Sequence, residues 1–359
     1  MPLKKFVPLV LLLAASARAE LAEPQKPRPS PVLEKARAFL LKLRRADGSF
    51  APAPAVGEDE GADVQYPLGA HALCTLALLH DASRGPSVEW LLKRQTRDGV
   101  FQEGIKERRF YVPSHILALL ALAEASLEAR PPPEAWKPAV GKAVKALLSA
   151  QRKDGSWNYD GSGMDSETWI TALALTALER AKAGGAEIPA GAFLQGKAAL
   201  ERAHKDAGRF GMAPDPGKEE PAYLGATSWA LAALQTPALS SDRSKILEHW
   251  NPALQDELQG VLLQFLRKPS GESKDWATHA PVPPLMDALG FTVLLERAGL
   301  TPGAQGKWLE ALEKEVDRLQ AKDGGLAGGR GKQVDTALAC LSLEHALPDC
   351  VSPWRLVRP

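Results

Sequence analysis

Apolar positions along this chain fall into two alternating kinds of stretch. In the first kind the pattern is one-sided: Leu147 and Leu148 sit beside Lys142, Lys145 and Gln151, as on a helix with a solvated back. Stretches 32–44, 88–95, 134–151, 193–204, 254–266 and 307–320 read this way. The second kind, over 68–79, 114–122, 168–178, 227–234, 286–295 and 336–343, is apolar nearly all round. A helix apolar on every side has to be buried from every side. Six of each in alternation predict an all-α fold in which six half-solvated outer helices wrap six buried inner ones, an α6/α6 toroid. The rival is an open solenoid, which would leave one flank of each buried helix uncovered.

Between the two kinds runs a recurring turn. It reads Asp47-Gly48-Ser49-Phe50, Asp98-Gly99-Val100-Phe101, Asp154-Gly155-Ser156-Trp157, Asp206-Ala207-Gly208-Arg209-Phe210 and Asp323-Gly324-Gly325-Leu326. The first four aspartates are 51, 56 and 52 residues apart, and the last gap, 117, spans two periods with one degenerate copy. A fixed period of this size marks an array of one supersecondary unit. Glycine supplies the backbone that ends the outer helix, and aspartate bonds its own turn. In the fifth copy Arg267-Lys268-Pro269-Ser270-Gly271 replaces the Asp-Gly turn.

Gln151-Arg152-Lys153-Asp154-Gly155-Ser156-Trp157 resembles the glutamine–tryptophan repeat of squalene and oxidosqualene cyclases, which recurs in weaker form in protein prenyltransferase β-subunits. Gln95 to Phe101, Thr171-Ala172-Leu173 and Asp335-Thr336-Ala337 extend the likeness over roughly residues 31 to 347. The resemblance implies the toroid and leaves the chemistry open, because the repeat is a structural device. Those cyclases protonate an alkene from the motif Asp-x-Asp-Asp-Thr-Ala; here Gln333-Val334-Asp335-Thr336-Ala337 keeps only the last aspartate. The prenyltransferases hold zinc with an aspartate, a cysteine two residues on, and a histidine. Asp287 matches the first, Leu289 stands for the cysteine and Asp335 for the histidine, a set without soft or imidazole ligands. No metal or other cofactor is therefore expected.

If the hairpins alternate in direction, every inner helix starts at one mouth of the ring, where amides and dipoles favour negative charge. Near those starts stand Asp63, Tyr66, Tyr111, Asp165, Glu167, Trp169, Glu220, Tyr223, Asp287 and Asp335. Any one of them reads first as a helix cap or packing residue. As a set they are a candidate surface: Asp287, Asp335, Asp165 and Glu167 for catalysis, and Tyr66, His71, Tyr111, His115, Trp169, Tyr223 and Phe291 for binding in the cavity.

Residues 1–19 read as a signal peptide: Lys4 and Lys5, an apolar run over 6–15 and Ala17-Arg18-Ala19 before Glu20. A Pro-rich linker over 20–30, the toroid over 31–350 and a tail over 351–359 follow, giving an exported, secreted or periplasmic protein with no further membrane segment. Without Lys4, Lys5 and Arg18 the 44 basic residues fall to 41 against 43 acidic ones, so no nucleic-acid partner is indicated. Cys74, Cys340 and Cys350 form no disulfide framework or metal motif; ring closure would bring Cys74 and Cys340 near enough to ask whether they bridge. The expected function is a non-catalytic scaffold for an unidentified lipid, peptide or protein. The alternative is a divergent enzyme acting on an isoprenoid or polysaccharide through its acidic rim.

Overall fold

The computed structural model describes residues 30–50, 66–81, 84–102, 110–129, 131–161, 166–205, 208–213, 222–236, 239, 252–267, 284–297, 302–326 and 332–346. The expected signal peptide, nearly all of the Pro-rich linker, the C-terminal tail, Asp63, Asp165, Glu220, Cys350 and the degenerate fifth turn after Arg267 lie outside these residues. Within them the chain forms α1 (Pro31–Leu43), α2 (Pro67–Ala77), α3 (Gly85–Leu92), α4 (Val112–Glu128), α5 (Trp136–Ser149), α6 (Thr168–Ala183), α7 (Ala190–Ala203), α8 (Leu224–Leu234), α9 (Pro252–Arg267), α10 (Pro284–Arg297), α11 (Pro302–Leu319) and α12 (Lys332–Ala346). Proline opens many of them, at a position whose N–H an α-helix does not use.

Even-numbered helices pack each on the next, and α12 packs on α2, so the inner ring closes. Odd-numbered helices lie outside and bridge neighbouring inner helices, with α1 seated on α12. The architecture is the predicted α6/α6 toroid, and the open solenoid is excluded by the seam. Every residue of α8 and residues 68–77, 112–125, 168–181 and 333–346 of α2, α4, α6 and α12 are buried. Side chains on every side of these helices, luminal ones included, are therefore held out of water.

The turn holds the array together. Asp47 Oδ1 accepts from Ser49 N (3.0 Å) and Oγ (2.6 Å), and Asp154 repeats both bonds with Ser156. Gly155 adopts φ 83°, and a Cβ there would lie 2.2 Å from Gln195 O, so the turn presses its bare backbone onto the next outer helix. The glutamine that ends the outer helix clamps the same junction. Gln151 Nε2 donates to Gly155 O and Ala192 O (both 3.0 Å), and Gln95 does so to Gly99 O and Ala139 O. Gln320 in the last repeat reaches Gly324 O (3.0 Å) and, across the seam, Val32 O (3.1 Å) of the first helix. Gln320→Leu is expected to cost about 1–2 kcal/mol and to speed hydrogen exchange in α1 more than in α5; equal exchange in both helices would show that the clamp does not hold the seam.

In the second, third, fourth and last copies the residue closing the turn is pinned from the inner helix. Phe101 N donates to His115 Nδ1 (3.1 Å), Trp157 N to Thr171 Oγ1 (3.0 Å), Phe210 N to Thr227 Oγ1 (2.9 Å) and Leu326 N to Thr336 Oγ1 (2.8 Å). From this pin, 171–180, 288–297 and 336–345 align without a gap and end in Glu179-Arg180, Glu296-Arg297 and Glu344-His345. The fifth repeat thus carries Ala288 at the pin, a side chain that cannot accept a hydrogen bond. Its Asp-Gly turn and its pin were lost together.

At the C-terminal ends of the inner helices charges are buried in pairs. Arg180 on α6 binds Glu124 on α4 through two hydrogen bonds. Arg297 on α10 reaches Ala232 O on α8 (2.8 Å) and Glu179 on α6 (3.4 Å), tying three consecutive inner helices. Burial pushes the Glu124 carboxyl up to about 7 in spite of Arg180 beside it. Cys74 and Cys340 are both buried, and no disulfide joins them. Gln333 Nε2 donates to Cys74 Sγ (3.3 Å).

Candidate active site

The opposite mouth, where the inner helices begin, carries a different chemistry. Tyr66, Tyr111 and Tyr223 are the residues capping α2, α4 and α8, and Trp169 is the second residue of α6. Tyr66 stacks on Tyr111 (centroids 4.6 Å apart) and Tyr111 on Tyr159 (5.9 Å). Tyr159 meets Trp169 edge-on (6.0 Å). All 4 tyrosines of the chain therefore stand on this one rim. Sequence reasoning missed Tyr159, although it follows the repeat tryptophan Trp157 by two residues; its carbonyl accepts from Val112 N (2.8 Å) and so ties the third turn to the mouth of α4.

Three other residues expected at the cavity lie in the layer between the two rings. His71 Nε2 donates to Ser87 O (2.9 Å) and its ring stacks on Trp90 of α3. His115 accepts the turn N–H on Nδ1 and donates from Nε2 to Ala143 O (3.0 Å) on α5. Burial drives both imidazoles down to about 4, so both are neutral fasteners at pH 7. Phe291 is fully buried against Trp308 of α11 (4.9 Å). An inner helix has an outer-facing side as well as a luminal one, and these three residues occupy it.

The acidic candidates behave differently. Glu167 caps α6 and its backbone N–H bonds Trp157 O (3.1 Å), which places it as a junction residue. Asp287 and Asp335 each stand one residue before the pin position, in the first turns of the neighbouring helices α10 and α12. Equivalent positions on packed helices are about 8–10 Å apart, a spacing from which two carboxyls reach the roughly 5–9.5 Å separations of glycoside hydrolysis. Asp287 is 4% exposed, and none of the described residues donates to its Oδ1. Burial, with no donor opposing it, holds this carboxyl well above the ordinary range even at a helix N-terminus, where the dipole favours the anion.

Asp287 Oδ1 has company. Thr168 Oγ1 and Trp169 Nε1 on α6 and Ser228 Oγ on α8 are likewise buried without a partner among the described residues. Buried polar atoms are ordinarily satisfied, and each exception calls for an explanation. Four of the fifteen such atoms among the described residues sit in the first two turns of three consecutive inner helices, beside the aromatic rim. Among the described residues no cluster of three or more His, Cys, Asp or Glu is arranged to hold a metal ion, and no helix is long and apolar enough to cross a membrane.

No family model matches the chain, and none of the curated proteins is detectably similar in sequence. Solved structures do share the fold. An α-amylase from Clostridium perfringens superposes with TM-score 0.61 at 11% identity, over 90% of this chain and 99% of that one. The GH76A α-1,6-mannanase from Salegentibacter sp. HEL1_6 gives 0.54 at 12% identity, over 88% and 98%. A variant of a type II terpene cyclase from Scytonema, with its product merosterolic acid A, gives 0.55 at 14% identity, over 88% and 96%. The fold is thus the α/α toroid that cyclases and glycan-cleaving enzymes share. At these identities the likeness carries architecture and no substrate. It does correct the expected function: the toroids that this chain resembles are mostly catalysts, and the non-catalytic scaffold gives way to the enzymatic alternative.

Proposed function

We propose that this chain is a glycan-cleaving enzyme whose active site is the N-terminal mouth of the inner ring. Asp287 is the proton-donating acid, Asp335 the second carboxyl, and the arc from Tyr66 through Tyr111 and Tyr159 to Trp169, with Tyr223 beyond it, the surface on which the sugar chain lies. The reading is carried by the four unpartnered buried polar atoms: Thr168 Oγ1, Trp169 Nε1, Ser228 Oγ and Asp287 Oδ1 ask for a ligand rich in hydroxyl groups. Tyrosine and tryptophan present an apolar ring with a polar tip, which suits a sugar's alternating faces and edges. We propose also that the protein is exported, in keeping with its N-terminal pattern, and meets its polymer outside the cell.

The test is reducing-end release from a panel of α- and β-linked glucans and mannans at pH 5–8. Cleavage lost in Asp287→Asn supports the reading; no release from any glycan, with turnover of a polyprenyl substrate instead, overturns it. Tyr66→Ala is expected to raise KM several-fold with little change in kcat, the size of one aromatic contact.

A further inference from the structure

We infer that Gly225 is a positioning residue for Asp287: the side chain it lacks is the notch in which the carboxyl is held out of water. Gly225 lies in the first turn of α8, facing α10. A Cβ built on it would stand 1.9 Å from Asp287 Oδ1 and 2.7 Å from its carboxyl carbon, a closer approach than at the other described glycines.

The glycine is not there for its backbone. Its φ lies outside the left-handed range that favours glycine, so any residue would fit the local conformation. Glycine is a poor helix former, and α8 is otherwise built from alanine, leucine, serine, threonine and tryptophan. Counted from the pins, the same position carries Pro113, Trp169, Met286 and Val334 in other repeats, and Gly69 stands two residues before His71 in the first, so the position accepts glycine or a side chain as large as an indole. What sets the α8 position apart is the acid lying against it from α10. Any larger residue would force Asp287 toward the mouth and into solvent, where it would titrate as an ordinary aspartate. Trp229, one turn further along α8, backs the same interface: its Nε1 donates to Met286 O (3.2 Å), and its indole packs on Gly290. Two glycines at this interface thus let α8 and α10 close around the residues on either side of Asp287.

The inference rests on Asp287 being the acid and is tested apart from glycan cleavage. Infrared difference spectra of the full chain, wild type minus Asp287→Asn, read the protonated carboxyl of Asp287 directly. Its band is expected to persist at neutral pH in the wild type and to be lost there in Gly225→Ala. The basic limb of the kcat/KM profile should move to lower pH in the same variant, and kcat at pH 7 should fall at least about ten-fold, within the range for a displaced general acid. A band absent from the wild type, or unchanged in Gly225→Ala, overturns the inference. Should Gly225→Ala not fold, Gly225→Ala/Asp287→Ala must fold, because the second substitution removes the clash; failure of that rescue also overturns it. If the band behaves as expected while no glycan is cleaved, the glycan reading falls and the role of Gly225 stands.

Discussion

Asp287→Asn is expected to lower turnover by about 10²–10⁴-fold, the usual contribution of a positioned general acid, while making the protein more stable at neutral pH. The two effects share a cause. Burial without a donor raises the folded-state affinity of Asp287 for its proton above that of the unfolded chain. The stability contributed by the protonated group is fully present below the unfolded aspartate value, about 3.9. It is lost as pH rises toward the raised folded value, where the unfolded chain ionises and the folded one cannot easily follow. Asparagine keeps the shape and never ionises, so the variant should match the wild type near pH 3 and melt at least about 2 °C higher at pH 7, the shift expected for a kcal/mol or so in a chain of this size. Thermal melts at both pH values check this. A variant that melts lower at pH 7 would mean that Asp287 is a paired, stabilising carboxylate, and the acid assignment would fall.

Arg297→Met is expected to be the most damaging single change outside the mouth, at about 3–5 kcal/mol. The guanidinium is buried, its ordinary value lowered by burial and supported by Glu179, and it ties α10 to Ala232 O and to Glu179. Methionine fills similar volume but leaves the Glu179 carboxyl in an apolar setting with its main partner gone. Adding Glu179→Gln should recover most of the loss, since the cost lies in the orphaned charge more than in the missing bond. Urea denaturation of the single and double variants reads both numbers. A loss under about 1 kcal/mol for Arg297→Met would show that the charge pairs at the C-terminal ends fasten little.

Much of this fold was legible in the chain. The Asp-Gly turn, the glutamine before it and the aromatic after it are local devices whose partners recur at a fixed period, so reading one copy explains the others. Helices apolar on all sides had to be enclosed, and six of them had to make a ring or a stack. The choice between ring and stack rested on contacts between residues nearly three hundred positions apart, such as Gln320 with Val32. The proposed site drew in part on residues already visible in the sequence. Asp287, Asp335, Tyr66, Tyr111, Trp169 and Tyr223 were singled out because helix starts are easy to find. Tyr159 was missed because it belongs to a turn, and His71, His115 and Phe291 were assigned to the cavity because a uniformly apolar helix does not show which of its sides faces the lumen.

What the sequence determined by itself was therefore the repeating unit, through interactions short in sequence that recur in most copies: glycine where a turn presses on backbone, aspartate closing that turn, apolar residues wherever water is excluded. What only the tertiary structure decided was which members of that repeat were released from structural duty. Ala288 carries no pin, Gly225 leaves a notch and Asp287 fills it without a donor; none of these is unusual in its own segment. They acquire meaning where two helices sixty residues apart in the chain are brought face to face, because the proton affinity of a carboxyl depends on what surrounds it in space.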